Sequence, residues 1–176
     1  MLITISGLPG SGTSTVASRV ARSLELERLD GGTAFRAMAA ERDLTMSAFS
    51  ELAESDPSID LELDQRLADR AREGDIVLES RLAGWIATNE QLPALRVWID
   101  CDDGERARRV ATREGISPSE ALRANARREA SERQRYLAYY GIDFTDRSIY
   151  DLVLDSTTAE PAALTAAIVA AVSDPS

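Results

Sequence analysis

Apolar residues fall along this chain in two rhythms. Short unbroken runs occur in "LITIS" (2–6), "DIVLES" (75–80), "LRVWID" (95–100) and "LVLD" (152–155). Runs of this length, bounded by glycine or acids, are the pattern of strands buried on both faces of a parallel sheet. A weaker strand is expected over Leu26–Asp30. Between the runs, apolar positions recur every three to four residues. Val16, Val20 and Leu24 stand at i, i+4 and i+8, which predicts a helix over Thr13–Leu24. Gly31–Gly32 read as a break before a helix from about Thr33 to Glu41. Residues 46 to 73 are expected to be helical and charged, interrupted at Asp56–Pro57. Residues 102–115 predict a helix ending at glycine, and 117–141 a longer one. The latter opens with a capping box: Ser117, Pro118 in the first turn, and Glu120 three after the cap. Pro161–Val172 predicts an Ala-rich terminal helix.

Strands alternating with helices imply a parallel sheet with crossover helices. The expected fold is α/β: a P-loop NTP-hydrolase-type parallel sheet of about five strands, flanked by helices. Ligands in such sheets sit beyond the carboxyl ends of the strands. The loop at 7–14, the glycines at 31–32 and "ESR" at 79–81 all fall at such ends.

Composition narrows the class. A chain of 176 residues, 44% hydrophobic, fits one domain with a real core. No window is long and apolar enough to span a membrane, and no basic region precedes an apolar segment at the N-terminus. The single cysteine, Cys101, has no partner for an internal disulfide. A cytoplasmic location, no membrane or nucleic-acid partner, and a monomer are expected. The balance of 20 basic to 30 acidic residues gives a net charge of −10. That disfavours a nonspecific nucleic-acid binder, which needs a basic face. Every basic residue is arginine; lysine and histidine are absent. Acidity with lysine depletion resembles proteins of halophilic archaea. At molar salt the Debye length falls to about 3 Å, so acidic self-repulsion costs little. Drift in a high-GC genome is the alternative source of the arginine bias.

The strongest motif is "GLPGSGTS" (7–14), with the spacing of a phosphate-binding loop, G-x-x-x-x-G-K-[ST]. Gly7, Gly10 and Gly12 let the backbone wrap a phosphate closely, and the following helix adds its positive N-terminal end. Ser14 stands where a hydroxyl would ligate Mg²⁺. Thr13 occupies the lysine position. By analogy with losing one preorganised donor, that absence would cost about 2.7–4 kcal/mol of transition-state stabilisation. Other cations would have to close around the γ-phosphate. Arg106, Arg109 and Arg113 share a helix face, and Arg123, Arg127, Arg128, Arg133 and Arg135 follow. An active-site arginine is worth roughly 10³–10⁵ in phosphoryl-transfer rate. Glu105–Arg109 and Glu129–Arg133 at i, i+4 fit decoration of a solvated helix equally well.

Taken with "LDGGTAFRAMA", "LESRLAGW" and "RREASERQRYLAYYGIDFTDRSIYDLVLDST", the chain resembles the cytidylate kinases of the short archaeal type, within the nucleoside monophosphate kinases. The resemblance spans nearly all of it. The family implies transfer of the ATP γ-phosphoryl group to CMP or dCMP, with ATP as co-substrate and Mg²⁺. It implies an ATP-binding loop of Gly7, Leu8, Pro9, Gly10, Ser11, Gly12, Thr13, Ser14 and Thr15. Arg36 is similar to an arginine that holds the acceptor phosphate, and Arg81 to another arginine of the acceptor site. Arg128, Glu132 and Arg135 match an R-x-x-x-[DE]-x-x-R set near the acceptor phosphate and sugar. Arg81, Arg128 and Arg135 are the candidate catalytic residues. One kinase domain over 1–176 is implied, with a core of 1–42, 74–105 and 148–176, an acceptor-binding region over about 43–73 and a lid over about 106–135.

Several positions keep two readings. Leu82 stands where the bacterial branch has an aspartate, which leaves base recognition open. Asp56, Asp60 and Asp64 recur every four residues; one could accept from the cytosine amino group, or all could be solvated surface. Asp30, a candidate acceptor-site residue, could also cap the next helix. Glu79 could reach Mg²⁺ through water or pair with Arg81. Trp85, Trp98 and Cys101 are expected in the core. A different small-molecule kinase (adenylate, dephospho-coenzyme A or shikimate type) and a catalytically silent nucleotide-binding regulator are the rival functions.

Overall fold

The computed structural model describes residues 1–173. Its centre is a five-stranded parallel sheet in the order β2-β3-β1-β4-β5. The strands are β1 (Leu2–Gly7), β2 (Glu27–Asp30), β3 (Ile76–Glu79), β4 (Leu95–Asp100) and β5 (Leu152–Asp155). All of β1 and β3 is buried, as their unbroken apolar runs require. Successive residues face opposite sides of the sheet. Ile3, Ile5, Val77, Val97 and Ile99 pack with Val16 and Val20 of α1 (Thr13–Ser23) and Ile168 of α8 (Pro161–Ser173). On the other side Leu2, Ile76, Leu78 and Trp98 meet Leu67, Ile86, Tyr136, Phe144 and Tyr150. Each such side chain contributes about 1.5–3 kcal/mol by leaving water.

Two helical regions stand off this core. One comprises α2 (Gly31–Glu41), α3 (Met46–Ser55) and α4 (Pro57–Glu73), which close a small core of their own around Met38, Phe49 and Ile59. The other is α6 (Asp103–Glu114) and α7 (Pro118–Tyr140), joined through Ala107, Val110, Ala111 and Ala121. The predicted capping box is formed: Ser117 Oγ accepts from Glu120 N, and Glu120 accepts from Ser117 N.

Two expectations need correction. Gly31 and Gly32 do not break the chain; they are the first turn of α2. Asp30 caps that helix by accepting from Gly32 N at 2.8 Å, which satisfies an amide at the helix start. A short helix, α5 (Ala83–Asn89), was not expected. It is seven residues long and largely buried, so it carries no polar face to reveal its period. Trp98 is fully buried and Cys101 is buried, as expected, whereas Trp85 is only partly buried against the core.

Candidate active site

Strand register builds the site. Asp30 lies opposite Glu79, and Glu79 opposite Ile5, so the ends of β2, β3 and β1 coincide. A cleft of 1080 Å³ opens beyond them, walled by α2, α3, α4 and α7.

On one side runs the loop between β1 and α1. Gly10 and Gly12 have φ of +86° and +88°, and a Cβ on Gly10 would lie 2.6 Å from the Arg106 carbonyl oxygen. Only glycine fits that approach. Gly12 is the N-cap of α1 and offers no side-chain cap. The first amides of the helix are therefore left for an anion, and the helix end adds partial positive charge.

The position vacated by lysine is engaged differently. Thr13 Oγ1 and Ser14 Oγ both donate to Glu79 Oε1, at 2.7 and 2.6 Å. Glu79 Oε2 accepts from Arg28 Nε and Nη2 at 3.1 and 2.6 Å. Glu79 therefore pairs with Arg28 and not with Arg81. Sequence reasoning missed Arg28. The available signal was a charged residue inside a strand pattern, which needs a partner if the strand is covered.

Arg81 is turned the other way. Its Nη1 donates to the Gly7 carbonyl at 2.7 Å and its Nε to Glu132 Oε2 at 2.9 Å. Glu132 Oε1 accepts from Arg128 Nε at 2.8 Å. Burial alone would raise the Glu132 carboxyl, but Arg81 and Arg128 outweigh it and hold it below the usual glutamate value. Arg135 is paired with Asp60 at 2.9 Å. Arg36, on α2, lies 3.7 Å from Asp30. Asp30, Arg36, Arg81, Arg128, Glu132 and Arg135 all line the cleft. Six positions from β2, α2, α7 and the turn after β3 are thus brought to one cleft with the loop, and Arg81 touches the loop itself.

The arginines of α6 divide. Arg106 is buried; it donates to the Pro9 carbonyl at 3.0 Å and to Glu129 and Asp103 at 2.6 Å. Arg109 donates to the carbonyls of Ser156 and Ser11, and pairs with Glu105 as its spacing implied. Both brace the loop from outside. Arg113 and Arg127 reach the cleft, and Arg127 has no hydrogen-bond or ion-pair partner among the described residues. The expected Glu129–Arg133 pair does not form, because Glu129 serves Arg106 and Arg133 pairs with Asp143.

The acidic stretch is not a solvated stripe. Asp56 caps α4 by accepting from Ser58 N, so no helix runs through it. Asp60 and Asp64 line the cleft. Asp60 is 2% exposed, and Asp64 accepts from the Tyr140 hydroxyl at 2.6 Å.

The profile of the cytidylate kinase-like family matches residues 2–158. A cytidylate kinase of Halobacterium salinarum is 50% identical over 98% of this chain and 89% of its own length. One from Pyrococcus horikoshii is 43% identical over 98% and 88%. Among solved structures, shikimate kinase from Acinetobacter baumannii superposes with a TM-score of 0.64 at 15% identity, covering 97% of this chain and 92% of that one. A gluconokinase from Sinorhizobium meliloti gives 0.61 at 15%, covering 97% and 90%. At that identity the structural likeness speaks for the fold: a phosphate-loop kinase sheet. With a phosphate loop and an arginine cluster lining one cleft, and a family match across most of its length, the chain belongs to the cytidylate kinase-like family.

Proposed function

We propose that this chain transfers the γ-phosphoryl group of ATP to CMP or dCMP, giving ADP and the nucleoside diphosphate. One observation carries the reading: a single cleft is lined both by a phosphate-binding loop and by Arg36, Arg81, Arg128 and Arg135. A protein that only bound ATP would have no use for a second, guanidinium-lined phosphate site. Guanidinium forks match phosphate oxygens in pairs, which a lysine ammonium does not.

Residues Gly7–Thr15 hold the ATP phosphates through backbone amides. Arg36, Arg81, Arg128 and Arg135 bind and orient the acceptor phosphate, with Glu132 fixing two of them and Asp30 beside Arg36. Oxygen donors at the loop suit Mg²⁺, since Ser14 Oγ and Glu79 Oε1 converge at 2.6 Å. Ser14 would hold the ion, which when bound neutralises phosphate charge. No general base is needed, because positioning and charge stabilisation dominate phosphoryl transfer. Arg113 and Arg127 supply the cations that Thr13 does not. The core is residues 1–42, 74–105 and 148–176, of which 174–176 lie outside the described residues, with an acceptor region over about 43–73 and a lid over about 106–135. Their closure excludes water and limits futile ATP hydrolysis. The enzyme works in the cytoplasm, as a monomer, in a salt-rich cell.

The test is a coupled ATP-turnover assay in high KCl with Mg²⁺, offering CMP, dCMP, UMP, AMP, GMP or no acceptor. Turnover dominated by CMP and dCMP is expected. ATP binding without turnover on any acceptor would overturn the reading in favour of a silent binder.

A further inference from the structure

Beyond the end of β3 the side chain of Leu82 is apolar and buried, and Glu79 is already taken up by Thr13, Ser14 and Arg28. The polar groups facing the acceptor's base must come from elsewhere in the cleft. Asp60 and Asp64 lie one turn apart on α4 and therefore share a helix face. Both line the cleft, beside the apolar side chains of Phe35 and Leu63. Those flat or branched surfaces suit the faces of a pyrimidine ring, and the carboxyls suit its edge.

The two acids are built in, not incidental. Asp60 is almost completely buried, yet its Oδ2 makes no aligned hydrogen bond; it meets Arg135 Nε, equally unaligned, at 2.9 Å. A buried carboxylate left in that state retains capacity to accept. Asp64 is held by Tyr140 of α7. Burial, and then the charge of Asp60, push Asp64 up to about 7 against the opposing effects of the Tyr140 hydrogen bond and Arg135. Such crowding is relieved by a ligand that donates to the pair.

Given the acceptor site proposed above, on which this inference rests, we propose that Asp60 and Asp64, positioned by Arg135 and Tyr140, accept from the exocyclic amino group of the acceptor base and select cytosine over uracil. Cytosine presents an amino donor at C4, where uracil presents a carbonyl oxygen. With the pair ionised, as above about pH 7 where Asp64 has lost its proton, uracil would set that oxygen against carboxylate acceptors. Sites built to bond a specific N–H or O–H reject analogues lacking it by roughly 10⁴–10⁵, far more than shape alone achieves.

The experiment compares kcat/KM for CMP and UMP in the wild type, Asp60→Asn, Asp64→Asn and Tyr140→Phe, in high KCl. Asparagine keeps the shape and offers an N–H to the uracil oxygen. The expected result is a fall in the CMP:UMP ratio of about 10²-fold or more in an Asp→Asn variant, with a smaller shift the same way in Tyr140→Phe. A purely structural role would lower both substrates together, and a ratio unmoved within threefold in both Asp→Asn variants would overturn the proposal. Should Asp60→Asn fail to fold, the partly exposed Asp64 decides. A wild type that uses CMP and UMP equally also overturns the inference. A wild type that phosphorylates neither overturns the kinase reading instead, so the two failures are distinguishable.

Discussion

Glu132→Gln isolates the charge at the centre of the arginine wall. The wild-type carboxylate is buried and binds two guanidinium groups at 2.8 and 2.9 Å. Glutamine preserves its volume and its hydrogen-bonding length, but not its charge. Arg81 is then a largely buried cation without a counterion, since its other contact among the described residues is the neutral Gly7 carbonyl. Removing one partner of a buried pair costs about 3–5 kcal/mol. Arg128 is 59% exposed, so its share is screened and adds little. The expected loss is therefore at the lower end, about 3 kcal/mol at pH 7, read from urea unfolding in constant KCl. The pH dependence carries the sign. Glu132 has a folded pKa below its ordinary value of 4.5, so its contribution is fully present above 4.5. It is lost as pH falls through the lower, folded value. The gap between wild type and Glu132→Gln should thus be constant from pH 7 to about 5 and close below 4.5. Activity should fall about 10²-fold, because two phosphate-binding side chains lose their anchor and a displacement near 1 Å suffices for that loss. A stability gap that persisted unchanged into acid would refute the reasoning, since it would assign the cost to packing and not to charge.

Three further outcomes are expected. Thr13→Lys should change kcat by less than about tenfold if arginines already supply the missing cation, whereas restoring a wholly absent donor would return about 10²–10³-fold; steady-state kinetics decides. Gly10→Ala forces a side chain into a left-handed conformation and to within 2.6 Å of the Arg106 carbonyl. ATP affinity by titration calorimetry should fall about five- to thirtyfold, the loss that about 1–2 kcal/mol of strain in the loop represents, while the sheet stays folded by circular dichroism. Stability and activity should rise toward molar KCl: screening relieves the repulsion of a −10 chain, and exposed pairs such as Arg66 with Glu41 contribute too little for their loss to matter. Full stability in dilute buffer would refute the salt reading.

Local rules were legible along the chain. Four apolar runs and a weaker fifth became the five strands; β1 and β3 are buried throughout as uninterrupted apolar runs require, whereas the edge strands β2 and β5 are only partly covered, so the run "LVLD" overstated its burial. The glycines of 7–12 announced the loop, since their conformations exclude other residues. Ser117, Pro118 and Glu120 announced the start of α7 because a cap is satisfied within one turn. The residues of the arginine wall were named from their motifs, and they do line one cleft.

What the chain pattern could not decide was who pairs with whom across distance. Glu79 takes Arg28, 51 residues away, in preference to Arg81 two residues on. Arg81 takes Glu132, also 51 residues away. Arg106 leaves the surface to brace Pro9, 97 residues before it. By pattern alone Asp60 and Asp64 read first as solvated acids, and it is α7 that brings Arg135 and Tyr140 against them. The physical reason is one of range. Periodicity, caps and turns are set within a few residues, so composition and order suffice to read them. The partner of a buried charge is set by which strand ends coincide and which helices cover them. Desolvation makes that choice decisive, and it exists only once the tertiary structure has formed.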